Sequence, residues 1–595
     1  MAARADRDGA TVPTGDCVAT EGSATSVSPP RPGWERGPGG GGTQFDTWLD
    51  AFFETYYRQN PVNATFIGVH EHDHRLPDVS EAGTDAARSE IARLRRELAA
   101  LPEEPLSLAQ SIDRELAAGF LAIRAWELES PHFRYANPSV YTGEAIFGVM
   151  ALFLRRFGTV PERVEAAIER MEAIPAFLGQ GRGATRGAPE PWIERARREC
   201  AGALAFLERG IALLADEYRD YRPELQRVAR KAATAFAEVD RYLAAELPRM
   251  PDDIVACGPE TFDLILRRAH FVEWDAETIA AYAAEEMDRS EAELVAGTRE
   301  FGSGTWRETL DGLRRHHART SAAYYARYDE LWSASRALAQ QMQLITWPDY
   351  PIRYVPQPLW AREAAPNLYF LFYRSPAPFD PLTGPVEYLV TPIEPDLPAA
   401  ERDALLEATN DSVIKLNHVV HHGGIGHHIQ NWHAFRAESR IGRIAAVDCA
   451  SRIAMLCGGT MAEGWACYAT GLMGEAGFLT PLERYSEHHA RLRMAARAFV
   501  DCEMHTGRLS LDEATALYRN RIGMPPAAAR AEAVKNSMFP GGAVMYLLGT
   551  DAIKDLRRRV AEREGTDFDL KRFHDRFLSF GSIPVSLIAR QMAEG

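Results

Sequence analysis

From Phe45 to about Gln341 apolar residues recur at helical spacing almost without interruption, and this periodicity limits the fold more than any other feature of the chain. Phe45, Leu49, Phe52, Phe53 and Tyr56 begin it, placed to share one helix face. Amphipathic stretches over residues 86–101, 160–177, 191–218 and 223–247 continue it, written mostly in Ala, Leu, Arg and Glu. Pro and Gly fall chiefly between these stretches, where helices begin and end. No fixed-length repeat is present, so a solenoid is not expected. The reading is a mainly α protein, a large helical body with a deep central cleft, whose first half serves as scaffold and cleft wall.

The text changes between Leu344 and Pro395. Residues 352–355, 367–373 and 386–390 are aromatic or β-branched and bounded by prolines, which predicts a small sheet set into the helical protein. Helices resume near Ala399, with breaks expected at Gly458-Gly459, Gly477, Pro525 and Pro540-Gly541-Gly542. Ahead of Phe45 the chain is rich in Gly, Pro, Ser and Thr and has little to bury, so residues 1–44 read as a disordered tail. The expected organisation is that tail, a helical region over 45–341, and a catalytic region over 342–595, with the sheet at 344–395 and the site helices at 411–475.

A net charge of −16 over 595 residues argues against a general nucleic-acid binder, because neutralising phosphates needs a basic surface. It also suits anionic membranes poorly, and no apolar run reaches the roughly 18–20 residues that span a bilayer. The seven cysteines are odd in number, scattered and without C-x-x-C spacing, which predicts reduced thiols. No charged-then-apolar leader pattern is present. These features predict a cytoplasmic protein with a small-molecule or peptide-like substrate, and neither nucleic acid nor membrane as partner. The glycine-rich stretches at 37–42 and 181–183 follow no predicted strand, so no nucleotide loop is expected.

Six of the seventeen histidines lie within sixteen residues: His418, His421, His422, His427, His428 and His433. Apolar neighbours (Val413, Leu416, Val419, Val420, Ile425, Ile429) mark the segment as buried, and so much buried imidazole is best explained by metal coordination. His418 and His422 are four apart and would share a helix face, whereas His421 and His427, six apart, would not. Gly423, Gly424 and Gly426 supply the break that could bring the second pair together.

The run His421-His422-Gly423-Gly424-Ile425-Gly426-His427-His428-Ile429-Gln430 resembles the H-E-x-x-P-G-H-H-L-Q signature of the bacterial domain-of-unknown-function 885 family. That family is regarded as related to the gluzincins, zinc metallopeptidases with a catalytic Glu beside the first His and a Glu as third ligand. Three further motifs follow in order. Ala462 to Tyr468 resembles A-E-G-W-A-x-Y, Val500 to Gly507 resembles V-D-x-x-x-H-T-G, and Pro540 to Gly549 resembles P-G-Q-A-x-x-Y-x-x-G. The resemblance covers roughly Phe45 to the C-terminus. It implies a metallopeptidase-like region holding a divalent metal, zinc first and iron as alternative. His421 and His427 fall at the first two ligand positions and Glu463 at the third, with His418, His422 and His428 as possible additional ligands. His505 and Tyr546 fall where they could bind substrate or stabilise an oxyanion.

The sequence departs from the family pattern in two polar positions. His422 stands where the family has the Glu that takes a proton from water and passes it to the leaving group, so His422 is expected to act as base or as a further ligand. Asn536-Ser537 replaces an Arg-Tyr pair whose arginine would suit a substrate carboxylate; Ile425 for Pro is milder. Ordinary peptidase activity is therefore not expected. The leading expectation is a metal-dependent hydrolase of amide or related small substrates. The alternatives are a repurposed metalloenzyme of specialised metabolism (iron-dependent oxidation, isomerisation or elimination) and a non-catalytic binding descendant.

Overall fold

The structure, a computed structural model, describes residues 43–102, 105–368, 376–380, 384–394, 397–446 and 451–594. The expected tail, the 37–42 glycines, Cys17 and Cys449 lie outside the described residues, apart from the tail's last two positions. The first helix, α1 (Gln44–Gln59), starts where the apolar periodicity does. Thr43 caps it, its hydroxyl accepting from the Asp46 N–H while the Asp46 carboxylate accepts from the Thr43 N–H. Phe45, Leu49, Phe52, Phe53 and Tyr56 are all buried.

After helices at Pro61–Ile67 and Glu81–Ala100 come α2 (Leu108–Glu127), α3 (Ser139–Leu154), α4 (Val160–Ala184), α5 (Glu190–Ala205) and α6 (Arg222–Ala245). Val149, Met171, Ile193 and Phe236 place α3, α4, α5 and α6 around one apolar core. The stretch read as one helix over 191–218 is a helical path in three pieces: α5, a π turn at Phe206–Gly210, and a short helix at Ile211–Glu217. Gly181 and Gly183 lie inside α4.

Two further helices, α7 (Ala276–Gly297) and α8 (Ser321–Gln341), lead to the small sheet of β1 (Ile352–Pro356) and β2 (Val386–Val390). The strands are parallel, Ile352 opposite Val386 and Tyr354 opposite Tyr388. Of the third expected segment, Asn367 ends a 3-10 turn and residues 369–373 lie outside the described residues. Tyr354 and Tyr388 point inward with ring centroids 5.1 Å apart, and Tyr354 lies 4.9 Å from Tyr328 of α8. This aromatic core continues to Ile414 and Val419, so the sheet and α8 together form the floor beneath the histidine segment.

The chain then runs through α9 (His427–Ala434), α10 (Arg452–Glu475), α11 (Pro481–His505), α12 (Pro526–Met538) and α13 (Val544–Glu564). Breaks fall at Gly477, Pro525 and Pro540–Gly542 as expected, but Gly458-Gly459 lies inside α10. The reason is close packing of α10 on α13. A Cβ added at Gly464 would stand 2.5 Å from the Gly549 carbonyl carbon, so small residues in the middle of α10 allow contact rather than end the helix. One core joins α7, α11, α12 and α13 through Met287, Leu492, Ala533 and Leu547. The described cysteines, Cys200, Cys257, Cys457, Cys467 and Cys502, are all free thiols. Among the described residues no helix is long and apolar enough to cross a membrane.

Candidate metal centre

The histidine segment begins at Asn410, whose side chain accepts from the Ser412 and Val413 N–H groups. From Ile414 to Gly423 the backbone is a π-helix of 10 residues, a form rare at this length and common at functional sites. It ends in a tight reversal at which the Gly426 N–H donates to the Val420 carbonyl at 2.9 Å. A Cβ at Gly426 would lie 1.9 Å from the His421 carbonyl oxygen, so glycine is required there. The reversal returns His427, first residue of α9, to the side of His421, with ring centroids 4.9 Å apart.

His421, His422 and His427 come together with ligand atoms all within 4.8 Å of one another. Glu463 comes to them from α10. Its Oε2 is 3.5 Å from His421 Nε2 and 4.0 Å from His427 Nε2. Trp465 Nε1, two residues on, donates to the Ile425 carbonyl at 2.9 Å and fastens the glycine reversal to α10. Outer partners orient the rings. His427 Nδ1 bonds Gln430 Oε1 at 3.2 Å, and Gln430 Nε2 donates to Ser582 Oγ at 2.7 Å. The Tyr388 hydroxyl of β2 sits between His422 Nδ1 at 3.1 Å and His418 Nδ1 at 2.7 Å. Such partners fix which ring nitrogen is left for the centre.

Burial lowers the pKa of His421, opposed by its hydrogen bond to Glu463. It lowers that of His422 further, with the charges of His421, His427 and His418 adding to the effect. Burial alone would raise Glu463, but the hydrogen bond from His421 and the imidazoles around it hold the carboxyl well below the usual carboxylate range. At neutral pH the His421 and His422 imidazoles are therefore neutral and the Glu463 carboxyl is ionised.

The remaining expected residues lie elsewhere. His418 stands behind His422, across Tyr388, and is not in the cluster. His428 is fully buried, bonds the Tyr350 carbonyl at 2.7 Å and stacks on the Tyr350 ring, so its neighbouring motif position does not make it a ligand. His505 does not join the cluster. It bonds the Asn536 carbonyl at 3.0 Å and packs on Phe262 and His132, tying the end of α11 to α12. Its motif partner Asp501 accepts from the N–H groups of Gly541, Ala543 and Val544, capping the start of α13. Tyr546 lies one turn further along α13, with the Arg497 guanidinium 4.6 Å from its ring centroid.

Tyr546 and Arg497 line a cavity of about 1120 Å³, walled by helices of the first region and by α10, α12 and α13. This is the expected cleft, yet His421, His422, His427 and Glu463 are not among its lining residues. Sequence reasoning missed Tyr388 and the role of Trp465. The first carried only a strand signal, and the second was visible as a motif letter with no indication of its partner.

Fold and site together define a helical protein with a histidine–carboxylate centre at the end of a π-helix. The profile of the family described as bacterial protein of unknown function (DUF885) matches residues 61–592, and the chain belongs to that family. Among solved structures, a presumed lipoprotein of unknown function from Shewanella oneidensis is 21% identical, with a TM-score of 0.73 over 93% of this chain and 100% of that one. A presumed lipoprotein from Colwellia psychrerythraea is 17% identical, with a TM-score of 0.74 over 93% of this chain and 99% of that one. At these identities the likeness shows the fold. No curated protein matches the chain.

Proposed function

We propose that the chain is a metal-dependent hydrolase of amide or related small substrates, with His421, His427 and Glu463 holding a divalent cation. One observation carries the reading: Glu463 Oε2 stands 3.5 and 4.0 Å from the two Nε2 atoms. Donors around zinc at bond lengths of about 2.0–2.1 Å are separated by roughly 3.3 Å, so the groups fit such an ion with small adjustments. Neutral His421 and ionised Glu463 are in the forms that cation binding needs. Imidazole nitrogen with carboxylate oxygen favours zinc, and iron is compatible. When bound, the ion would supply Lewis acidity toward a carbonyl and toward water.

His422 then takes the place of the missing Glu. With its Nδ1 turned to the Tyr388 hydroxyl, its Nε2 is the atom that can accept a proton and return it to a leaving group. The Asn536 and Ser537 side chains are committed to Tyr518 and Trp192 and offer no cation to a substrate carboxylate. This supports small amides over ordinary peptides.

A second reading follows from the placement of His422 as near to His421 and His427 as a ligand would be. Three imidazoles and a carboxylate would leave open positions on a six-coordinate ion such as iron, which suits redox or isomerisation chemistry. Elemental analysis of untagged protein and of its His421→Ala and Glu463→Ala variants tests both. Stoichiometric zinc lost in both variants, with chelator-sensitive cleavage of chromogenic amides, supports the first. Iron with oxygen-dependent turnover supports the second, and protein that takes up neither metal overturns the centre.

The free thiols support a reducing, cytoplasmic location, while the solved neighbours are named as lipoproteins. Cell fractionation decides the matter, and recovery with membranes would set the cytoplasm aside.

A further inference from the structure

The cavity lined by Tyr546 and Arg497 contains a carboxylate that stands apart from the other charged groups on its wall. Its wall is largely apolar, with Phe133, Phe147, Met150, Met455, Met538 and Phe539 among the lining residues. Every other buried or half-buried carboxylate on that wall has an arginine. Glu90 is held by Arg58 at 2.6 Å, Glu127 by Arg124 at 2.9 Å and by Arg452, Glu199 by Arg195 at 2.9 Å, and Glu532 by Arg497 at 2.6 Å. Glu144, half-buried on α3, is the exception, making no hydrogen bond or ion pair among the described residues.

The two cations whose charge is felt at Glu144 are already committed. Arg170 donates to the carbonyls of Arg75 and Gly148 and to the Thr65 hydroxyl, and Arg124 to Glu127. They act on Glu144 only through space. Burial pushes the Glu144 carboxyl up to about 7, and Arg170 and Arg124 oppose it. A half-buried carboxylate that lines a cavity and has no partner of its own gains from a ligand that brings the opposite charge. A metal ion would need more ligands than this one carboxylate. An ammonium group needs only a charge-assisted hydrogen bond, with its carbon skeleton against the surrounding Phe and Met side chains.

We propose that Glu144 is the recognition group of an amine-binding subsite, and that the cavity takes a protonated primary amine carried on an apolar body. Binding of the amine stands by itself. That the amine belongs to the substrate rests on the hydrolase reading.

The test is fluorescence titration of the full chain with dansylcadaverine, an alkylamine bearing an apolar fluorophore, and with its N-acetylated, uncharged counterpart. The amine should bind wild-type protein about tenfold or more tighter than the acetylated probe, the size of effect expected of a charge-assisted hydrogen bond. Glu144→Gln should abolish that preference, and Glu144→Asp should retain part of it. His421→Ala should keep it, which separates this claim from the fate of the metal centre. Equal affinity of the two probes for wild-type protein, no binding of either, or a preference unchanged in Glu144→Gln overturns the subsite.

Discussion

Trp465 donates its indole N–H to the carbonyl of Ile425 at 2.9 Å, and both residues are fully buried. The helix that carries the Glu463 carboxylate is therefore bonded to the reversal that carries the imidazoles, and this bond helps to hold the two halves of the centre in register. Trp465→Phe keeps most of the packing but leaves a buried carbonyl without its donor. The expected cost is about 1–3 kcal/mol in urea unfolding. Zinc affinity should fall about tenfold or more in chelator competition, the range for lost outer partners of a metal site. Unchanged affinity would mean that the reversal is held by its own geometry.

Gly426→Ala tests that geometry directly. The new methyl would meet the His421 carbonyl, which is backbone and cannot swing aside, so the reversal itself must open. We expect a loss of about 1–3 kcal/mol and loss of metal binding, with helix content by circular dichroism unchanged because α9 and α10 are intact. Gly424→Ala, 2.7 Å from the Val419 carbonyl, should be milder.

The Tyr388 hydroxyl bridges His418 and His422, and one hydroxyl can donate to only one of them. If His422 presents Nε2 to the centre, its Nδ1–H donates to Tyr388, and Tyr388 donates to His418. Tyr388→Phe removes this control of the tautomer. Turnover or metal affinity should fall about 10–100-fold while the thermal midpoint moves little. A hydrolytic rate equal to wild type would remove His422 from the proton path.

How far the sequence reveals this site depends on the kind of signal each residue carries. Helical periodicity is local, so α1, the helix at Glu81–Ala100 and α4 to α6 are readable from spacing alone. The meeting of His421, His427 and Glu463 is readable because glycines mark the reversal and the motif marks the acid. The π-helix is not, because its i→i+5 bonding arises from what the segment packs on, not from its composition. Pairing of β1 with β2 is also hidden, since parallel partners such as Tyr354 and Tyr388 are far apart in the chain and no hairpin turn announces them. His428 and His505 show the limit from the other side. A motif gives a residue type and a place, while the direction of the ring is set by Tyr350 and Asn536, which only the fold brings near.

Away from the centre, His70 stands between two carboxylates, 2.8 Å from Asp73 and 2.8 Å from Asp380. Burial works against its charge, but the hydrogen bonds to Asp380 and Asp73 prevail and raise its pKa from 6.5 to about 9. A raised folded-state pKa means stabilisation that is complete below the unfolded value and disappears as pH rises through the folded one. Wild-type protein should therefore exceed His70→Gln in urea midpoint below pH about 6.5, and the gap should close by pH about 9–10. A gap that stays constant across this window would show that His70 acts by packing on Phe157 and not by charge.

His505 and Asp501 allow the structural part of the family motifs to be separated from the chemical part. Asp501 binds three N–H groups at the start of α13, and His505 holds Asn536 of α12. Neither reaches the cluster of His421, His422 and His427, so both should matter to stability and not to metal content. Asp501→Ala leaves those donors unmet and should lower unfolding free energy by about 2 kcal/mol or more. His505→Phe, which keeps the stacking on Phe262, should cost about 1–2 kcal/mol for the lost hydrogen bond. Both variants should retain wild-type metal stoichiometry by elemental analysis. Loss of metal from folded His505→Phe, with circular dichroism unchanged, would place this histidine in the centre after all.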